Sequence, residues 1–241
     1  MKILRIDGLT LHFGALAAVD DLSFELEEGE IFGIAGPNGA GKTTLFNAIT
    51  GFYRYTGDIY FGSERISGLR PHQICQKGIA RTFQIPQLFS TLSVYDNLRI
   101  GAHFGAGLRG AEEENHIKEM MIFLGMEGKE GINAAGVNLF DKKRTMLAAA
   151  LLTQPKVLLV DEPTAGLSPT ETREFIALFK KLNESLGITI VIIEHMMKVL
   201  TELSQRMMIM ENGKKITIGQ PMQVCRDEKV IEIYLGRGKH A

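Results

Sequence analysis

Residues 36–43 read Gly-Pro-Asn-Gly-Ala-Gly-Lys-Thr, a G-x-x-x-x-G-K-[ST] pattern set between the apolar run Ile31–Ala35 and a helical stretch from Gly41 to about Gly51. A strand, a glycine-rich loop and a helix in that order leave few folds open, because the loop is built for backbone to approach an anion closely. Small residues turn successive N–H groups toward phosphate, and the helix N-terminus adds its partial positive charge. Lys42 reaches the β and γ phosphates of a bound nucleotide, and Thr43 offers its hydroxyl to Mg²⁺.

The rest of the chain agrees with an α/β fold. Short apolar or alternating runs at Ile3–Ile6, Leu9–Phe13, Ser23–Leu26 and Ile31–Ala35 make the first 35 residues β-rich, and Asp58–Phe61 adds a strand. Residues 69 to about 155 read as mostly helical, with Glu112–Met126 carrying Ile117, Met120, Met121 and Leu124 at helical spacing. Beyond them, buried-type strands Val157–Val160 and Ile188–Ile193 alternate with helices Thr170–Leu186 and Met196–Leu203. A hairpin of Arg206–Met210 and Lys215–Ile218 turns at Asn212-Gly213. Alternation of this kind predicts a mostly parallel sheet with helices packed on it. The β-rich start and the helical middle suggest two lobes flanking that sheet, in one compact unit.

Composition narrows the function classes. Twenty-seven basic against 28 acidic residues leave a net charge of −1, so no global cationic field exists to hold nucleic acid. The longest unbroken apolar run, Met146–Leu152, is seven residues, whereas a membrane span needs about 20. The first residues, with Arg5 and Asp7, lack a signal-peptide pattern. Cys75 and Cys225 make no disulfide framework and fit a reducing compartment.

A second motif supplies the chemistry. Val157–Val160 leads into Asp161-Glu162, where Asp161 would hold Mg²⁺ and Glu162 would polarise an attacking water. No N-K-x-D motif is present to read guanine.

On these residues the chain resembles the ATP-binding subunits of ABC transporters over nearly its whole length. Thr82-Phe83-Gln84 lies where that family has its glutamine loop, Ala165-Gly166-Leu167-Ser168 follows Glu162 as its D-loop does, and His195 ends the next strand as its switch histidine does. The resemblance implies an α/β P-loop NTPase core with a mostly parallel sheet and an antiparallel β subdomain, about 1–80 and 155–241, and a helical subdomain at about 85–154 hinged at the glutamine loop, all in a single domain 1–241. It implies an Mg-dependent ATPase that binds ATP through Phe13, Val19, Gly36, Pro37, Asn38, Gly39, Ala40, Gly41, Lys42, Thr43 and Thr44. Phe13 would stack on adenine. Thr43, Gln84 and Asp161 would hold Mg²⁺, with Glu162, His195 and Gln84 catalytic. The partners implied are a paralogous ATPase subunit or a second copy in an ATP-sandwich dimer, two membrane-spanning permease subunits and a substrate-binding protein. That places the chain peripherally on the cytoplasmic face of the cell membrane.

Within the family, Leu45–Phe52, Gly78–Pro86, Ile193-Glu-His195, Gly213–Lys215 and Tyr234-Leu-Gly236 look most like the ATPase of branched-chain amino-acid importers; relatives for urea import and lipopolysaccharide export share parts of the pattern. One motif departs from it. Where the family has L-S-G-G-Q, this chain reads Val137-Asn-Leu-Phe-Asp141. Leu139 and Phe140 replace the glycines, and Asp141 brings negative charge that Lys142, Lys143 and Arg144 are placed to neutralise. Two readings stay open: Asn138 takes the serine's place, or the stretch is a surface turn capping a helix 142–153 without touching nucleotide. The altered signature also implies, as an alternative, an ATP-binding subunit with little hydrolysis of its own. The Met120-Met121, Met196-Met197 and Met207-Met208 pairs read as core, and Ile85–Ile100 as a segment that docks on a partner helix through Pro86, Leu88, Phe89 and Leu92.

Overall fold

A computed structural model describes residues 1–235. Strand β1 (Lys2–Phe13) pairs antiparallel with β2 (Leu16–Glu27). The two short strands expected at Ile3–Ile6 and Leu9–Phe13 are thus one, with an irregularity between Ile6 and Leu9 where Gly8 takes a φ of 59°. That bulge keeps Leu9 and Leu11 facing the same core as Leu4 and Ile6. The expected strand at Ser23–Leu26 likewise extends back to Leu16, through an Asp21 at φ 49°. The β lobe is completed by β4 (Thr56–Phe61) and β5 (Glu64–Arg65), in the order β2-β1-β4-β5.

The second sheet contains β3 (Ile31–Ala35), β6 (Ile79–Arg81), β7 (Val157–Asp161), β8 (Thr189–Ile193), β9 (Arg206–Glu211) and β10 (Lys214–Gly219), ordered β10-β9-β3-β8-β7-β6. All neighbours pair in parallel except the β9–β10 hairpin. Strand β6 interrupts the region expected to be helical from 69 onward. Three residues are too few to show a period, and only pairing with β7 makes them a strand.

The central strands are buried on both faces, and alternate residues join two different apolar clusters. Leu158, Val160, Ile190 and Ile192 pack with helices α3 (Val94–Ile100), α4 (Gly110–Phe123), α5 (Leu139–Leu151), α6 (Pro169–Leu186) and α7 (Met197–Leu203). Leu159, Val191, Ile193 and Met208 pack with α1 (Lys42–Ile49), α2 (Pro71–Gln76) and the β lobe. Buried residues of this kind give the continuous apolar strands read from sequence. Met207 and Met208 are core residues, as is Met121, whereas Met196 is exposed. Residues 124–138 form an irregular connection between α4 and α5 rather than helix. No helix among the described residues is long and apolar enough to cross a membrane.

Candidate functional site

The loop between β3 and α1 is shaped by backbone that only glycine tolerates. A Cβ at Gly36 (φ 150°) would lie 2.1 Å from the Met210 carbonyl oxygen, and one at Gly41 (φ 96°) 2.2 Å from that of Ala18. Gly41→Ala should therefore distort the loop and weaken ATP binding by more than ~1 kcal/mol, read as at least a fivefold rise in Kd by fluorescent-nucleotide titration. An unchanged Kd would show that the loop can give way. Lys42 is buried and donates from Nζ to the carbonyls of Gly36 (2.8 Å) and Pro37 (3.0 Å), closing the loop on itself. Burial pulls its pKa down, and Glu162 and Asp161 oppose the shift.

In front of the loop lies a cleft of about 580 Å³ bounded by Phe13, Asn38–Thr44, Glu162 and His195. Phe13 is exposed at its rim, its ring perpendicular to that of Tyr53 at 5.3 Å, and is open to a planar ligand. Val19 is fully buried opposite Leu11 and does not reach the cleft. Ala17 and Ala18 line it instead, together with Leu16 and Asn212. Register shifts in the β1–β2 ladder set which side of β2 faces the loop, and the residue string does not show them. Asn212 was recognised as a turn residue but not as a wall of the site. Its neighbour Gly213 donates to the Ala40 carbonyl (3.1 Å) and accepts from the Asp20 N–H (2.9 Å), stitching the hairpin to the loop.

The two acidic residues at the end of β7 have different surroundings. Asp161 is paired through Oδ2 with Arg81 at 2.9 Å, with side-chain exposures of 2% and 5%. Burial raises the Asp161 carboxyl pKa, while Arg81 and, to a smaller degree, the nearby Thr43 side chain hold it down. The Asp161 Oδ1 atom is buried without a hydrogen-bond partner. A free buried carboxylate oxygen beside a threonine hydroxyl suits a hard cation such as Mg²⁺, which takes oxygen ligands and leans on substrate phosphates for the rest. Gln84, expected in the same set, donates instead to Glu162 Oε2 at 2.6 Å.

Glu162 sits at φ 47°, its N–H bonded to the Ile193 carbonyl at 3.0 Å. Its second carboxylate oxygen is 2.6 Å from His195 Nε2. Residues 84, 162 and 195, far apart in sequence, thus meet at one carboxylate, and such a group can accept a proton from a bound water. Glu194 escaped the sequence reading. It is buried and accepts from the Thr164 N–H (2.9 Å) and hydroxyl (2.6 Å), bracing the turn after Glu162. Its place between the β8 run and His195 was the available signal.

The Val137–Asp141 stretch is not a surface turn before a helix at 142. Asn138 caps α5 by accepting from the Asp141 N–H (2.8 Å), and Phe140 and Asp141 are buried. Asp141 is neutralised by Lys129 (2.6 Å) and Arg144 (2.5 Å), which lower its pKa against the opposing effect of burial. Lys143 points elsewhere, for residues two apart on a helix do not share a face. In the proposed docking segment Phe89 is exposed while Pro86, Leu88 and Leu92 are half-buried. Gly236 of the Tyr234-Leu-Gly236 motif lies outside the described residues.

A family model described as ABC transporter matches residues 19–165. The chain is 36% identical to BraF of Pseudomonas aeruginosa, a high-affinity branched-chain amino acid transport ATP-binding protein, covering 97% of this chain and 98% of the relative. It is 31% identical to the methionine import ATP-binding protein MetN of Clostridioides difficile, covering 97% and 74%. Among solved structures, the ADP conformation of MJ1267, an ATP-binding cassette of an ABC transporter, superposes with a TM-score of 0.88 at 31% identity, covering 98% of this chain and 99% of that one.

Proposed function

The chain belongs to the ABC transporter family as an ATP-binding and ATP-hydrolysing subunit, and on that premise we propose that it powers an importer of branched-chain, hydrophobic amino acids. Full-length similarity to BraF carries the reading, with LivG of Escherichia coli also 36% identical over 97% of this chain. The test is ATP-driven leucine uptake into proteoliposomes holding this chain with its permease and binding-protein partners. Transport of urea, methionine or lipopolysaccharide in place of leucine would overturn the substrate.

In this reading the backbone of Gly36–Gly41 cradles the triphosphate, Lys42 leaves its loop carbonyls for the β and γ phosphates, and Phe13 stacks on adenine. Thr43 and Asp161, joined by Gln84, would hold Mg²⁺, which would supply charge to neutralise the phosphate oxygens. Glu162 accepts the proton of the attacking water, and His195 fixes the carboxylate's direction. The partners are a second cassette, two permease subunits on the cytoplasmic face of the membrane, and a substrate-binding protein. The exposed Phe89 supports a docking role for Ile85–Ile100.

The first turn of α5 supports a second cassette that differs from this one. The Asn138 oxygen is occupied by Asp141 N–H, and Leu139 and Phe140 add bulk where glycine lets backbone reach a phosphate. The purified chain alone should turn over ATP slowly, and a paralogue with an intact L-S-G-G-Q should raise the rate at least fivefold. Vigorous turnover by the chain alone would contradict this.

A further inference from the structure

Lys143 is 3% exposed in the second turn of α5, and its Nζ donates to the backbone carbonyl of Glu162 at 3.0 Å. A buried ammonium is costly unless paired, and burial pulls the Lys143 pKa down while Glu194 and Glu162 oppose that shift. The carbonyl it meets belongs to the residue whose φ of 47° is the strained point of the site. Such a conformation persists only where the surroundings over-determine it. The Glu162 N–H is bonded to Ile193, and the Glu162 carbonyl accepts from Lys143 and more distantly from the Ala165 N–H at 3.3 Å. The next residue is Pro163, which has no N–H to contribute.

We propose that Lys143 is a positioning residue for hydrolysis: from α5 it clamps the Glu162 peptide in its left-handed conformation and so aims the Glu162 carboxylate. Gln84 and His195 grip the carboxylate itself, yet Gln84 is also assigned to Mg²⁺. When Gln84 turns away, the backbone clamp and His195 are what keep the base in line. Because Val137–Asp141 runs into the first turn of α5, the clamp also ties that stretch to the base, 19 residues from Lys143 in sequence. The inference rests on the reading of Glu162 as base.

The experiment compares K143M, K143R and E162Q with the parent chain, alone and combined, in the complex with its partner cassette. The readouts are kcat, KM for ATP, ATP affinity and Tm. K143M should lower kcat about tenfold while KM and ATP affinity stay within twofold, and K143R, which reaches the same carbonyl, should recover most of the rate. In the E162Q background K143M should cause no further loss. A merely structural role would instead move Tm and KM together and persist in E162Q. If K143M does not fold, K143Q, whose amide falls short of the carbonyl, is read in the same way. An unchanged kcat in K143M beside a fall in E162Q would overturn the clamp alone; unchanged turnover in E162Q would remove the base assignment and the proposal with it.

Discussion

Glu162→Gln should leave ATP binding nearly intact while turnover falls at least tenfold, equivalent to roughly 1.4 kcal/mol of barrier. The amide keeps the size of the carboxylate and can still meet Gln84 or His195, so the cleft and the loop around Lys42 are undisturbed. It cannot take a proton from water. Two further features make the loss specific. The φ of 47° at this position is retained, and the residue forms no part of the Lys42 hydrogen bonds to Gly36 and Pro37. Nucleotide titration should therefore superpose on that of the parent chain, while phosphate release in the presence of a partner cassette drops. Equal rates for the two proteins would take Glu162 out of the base role and leave its contacts with Gln84 and His195 as architecture.

Arg81→Met should be the most destabilising single change near the cleft. Its guanidinium pairs with Asp161 at 2.9 Å, reaches Asn47 at 2.5 Å and lies over the rings of Phe83 and Phe46 at 4.9 and 5.5 Å. Burial pushes the Asp161 carboxyl pKa up and that of Arg81 down in spite of their attraction, so the intact pair is no large source of stability. Breaking it is a different matter, because Asp161 would stay buried with both oxygens short of partners. A loss of about 3–5 kcal/mol is expected, or a Tm lower by roughly 6–20 °C at this chain length. Adding Mg²⁺ with ATP should return part of the loss by supplying positive charge to the same carboxylate. A Tm unchanged without nucleotide would mean that water takes over the guanidinium's place.

These two residues mark the boundary of what was legible in the amino-acid string. Lys42, Thr43, Asp161 and Glu162 lie in contiguous patterns where strand, loop and residue type all agree, so their neighbourhood could be read locally. Arg81 could not, because its partner is 80 positions away and its strand exists only by pairing with β7. The family resemblance puts Val19 on the nucleotide, whereas bulges in β1 and β2 turn Ala17 and Ala18 toward the cleft instead. The charges after Asp141 were assigned by proximity in sequence. Helical geometry gives the partnership to Arg144, three residues on, and frees Lys143 to face Glu162. Most strands and helices followed from periodicity; β6, the continuity of β1 and β2, the irregular 124–138 stretch and the start of α5 at Leu139 did not.

The stitch between Gly213 and Ala40 has a calorimetric consequence. A loop held from both sides by the β lobe and the β9–β10 turn is ordered before any ligand arrives, so little conformational entropy remains to be lost there on binding. What ordering remains falls on the exposed Phe13 and Gln84 side chains and on the Lys42 ammonium as it exchanges its carbonyls for phosphate. Cutting the chain between β9 and β10 would thus weaken a nucleotide site that lies some 170 residues away in sequence.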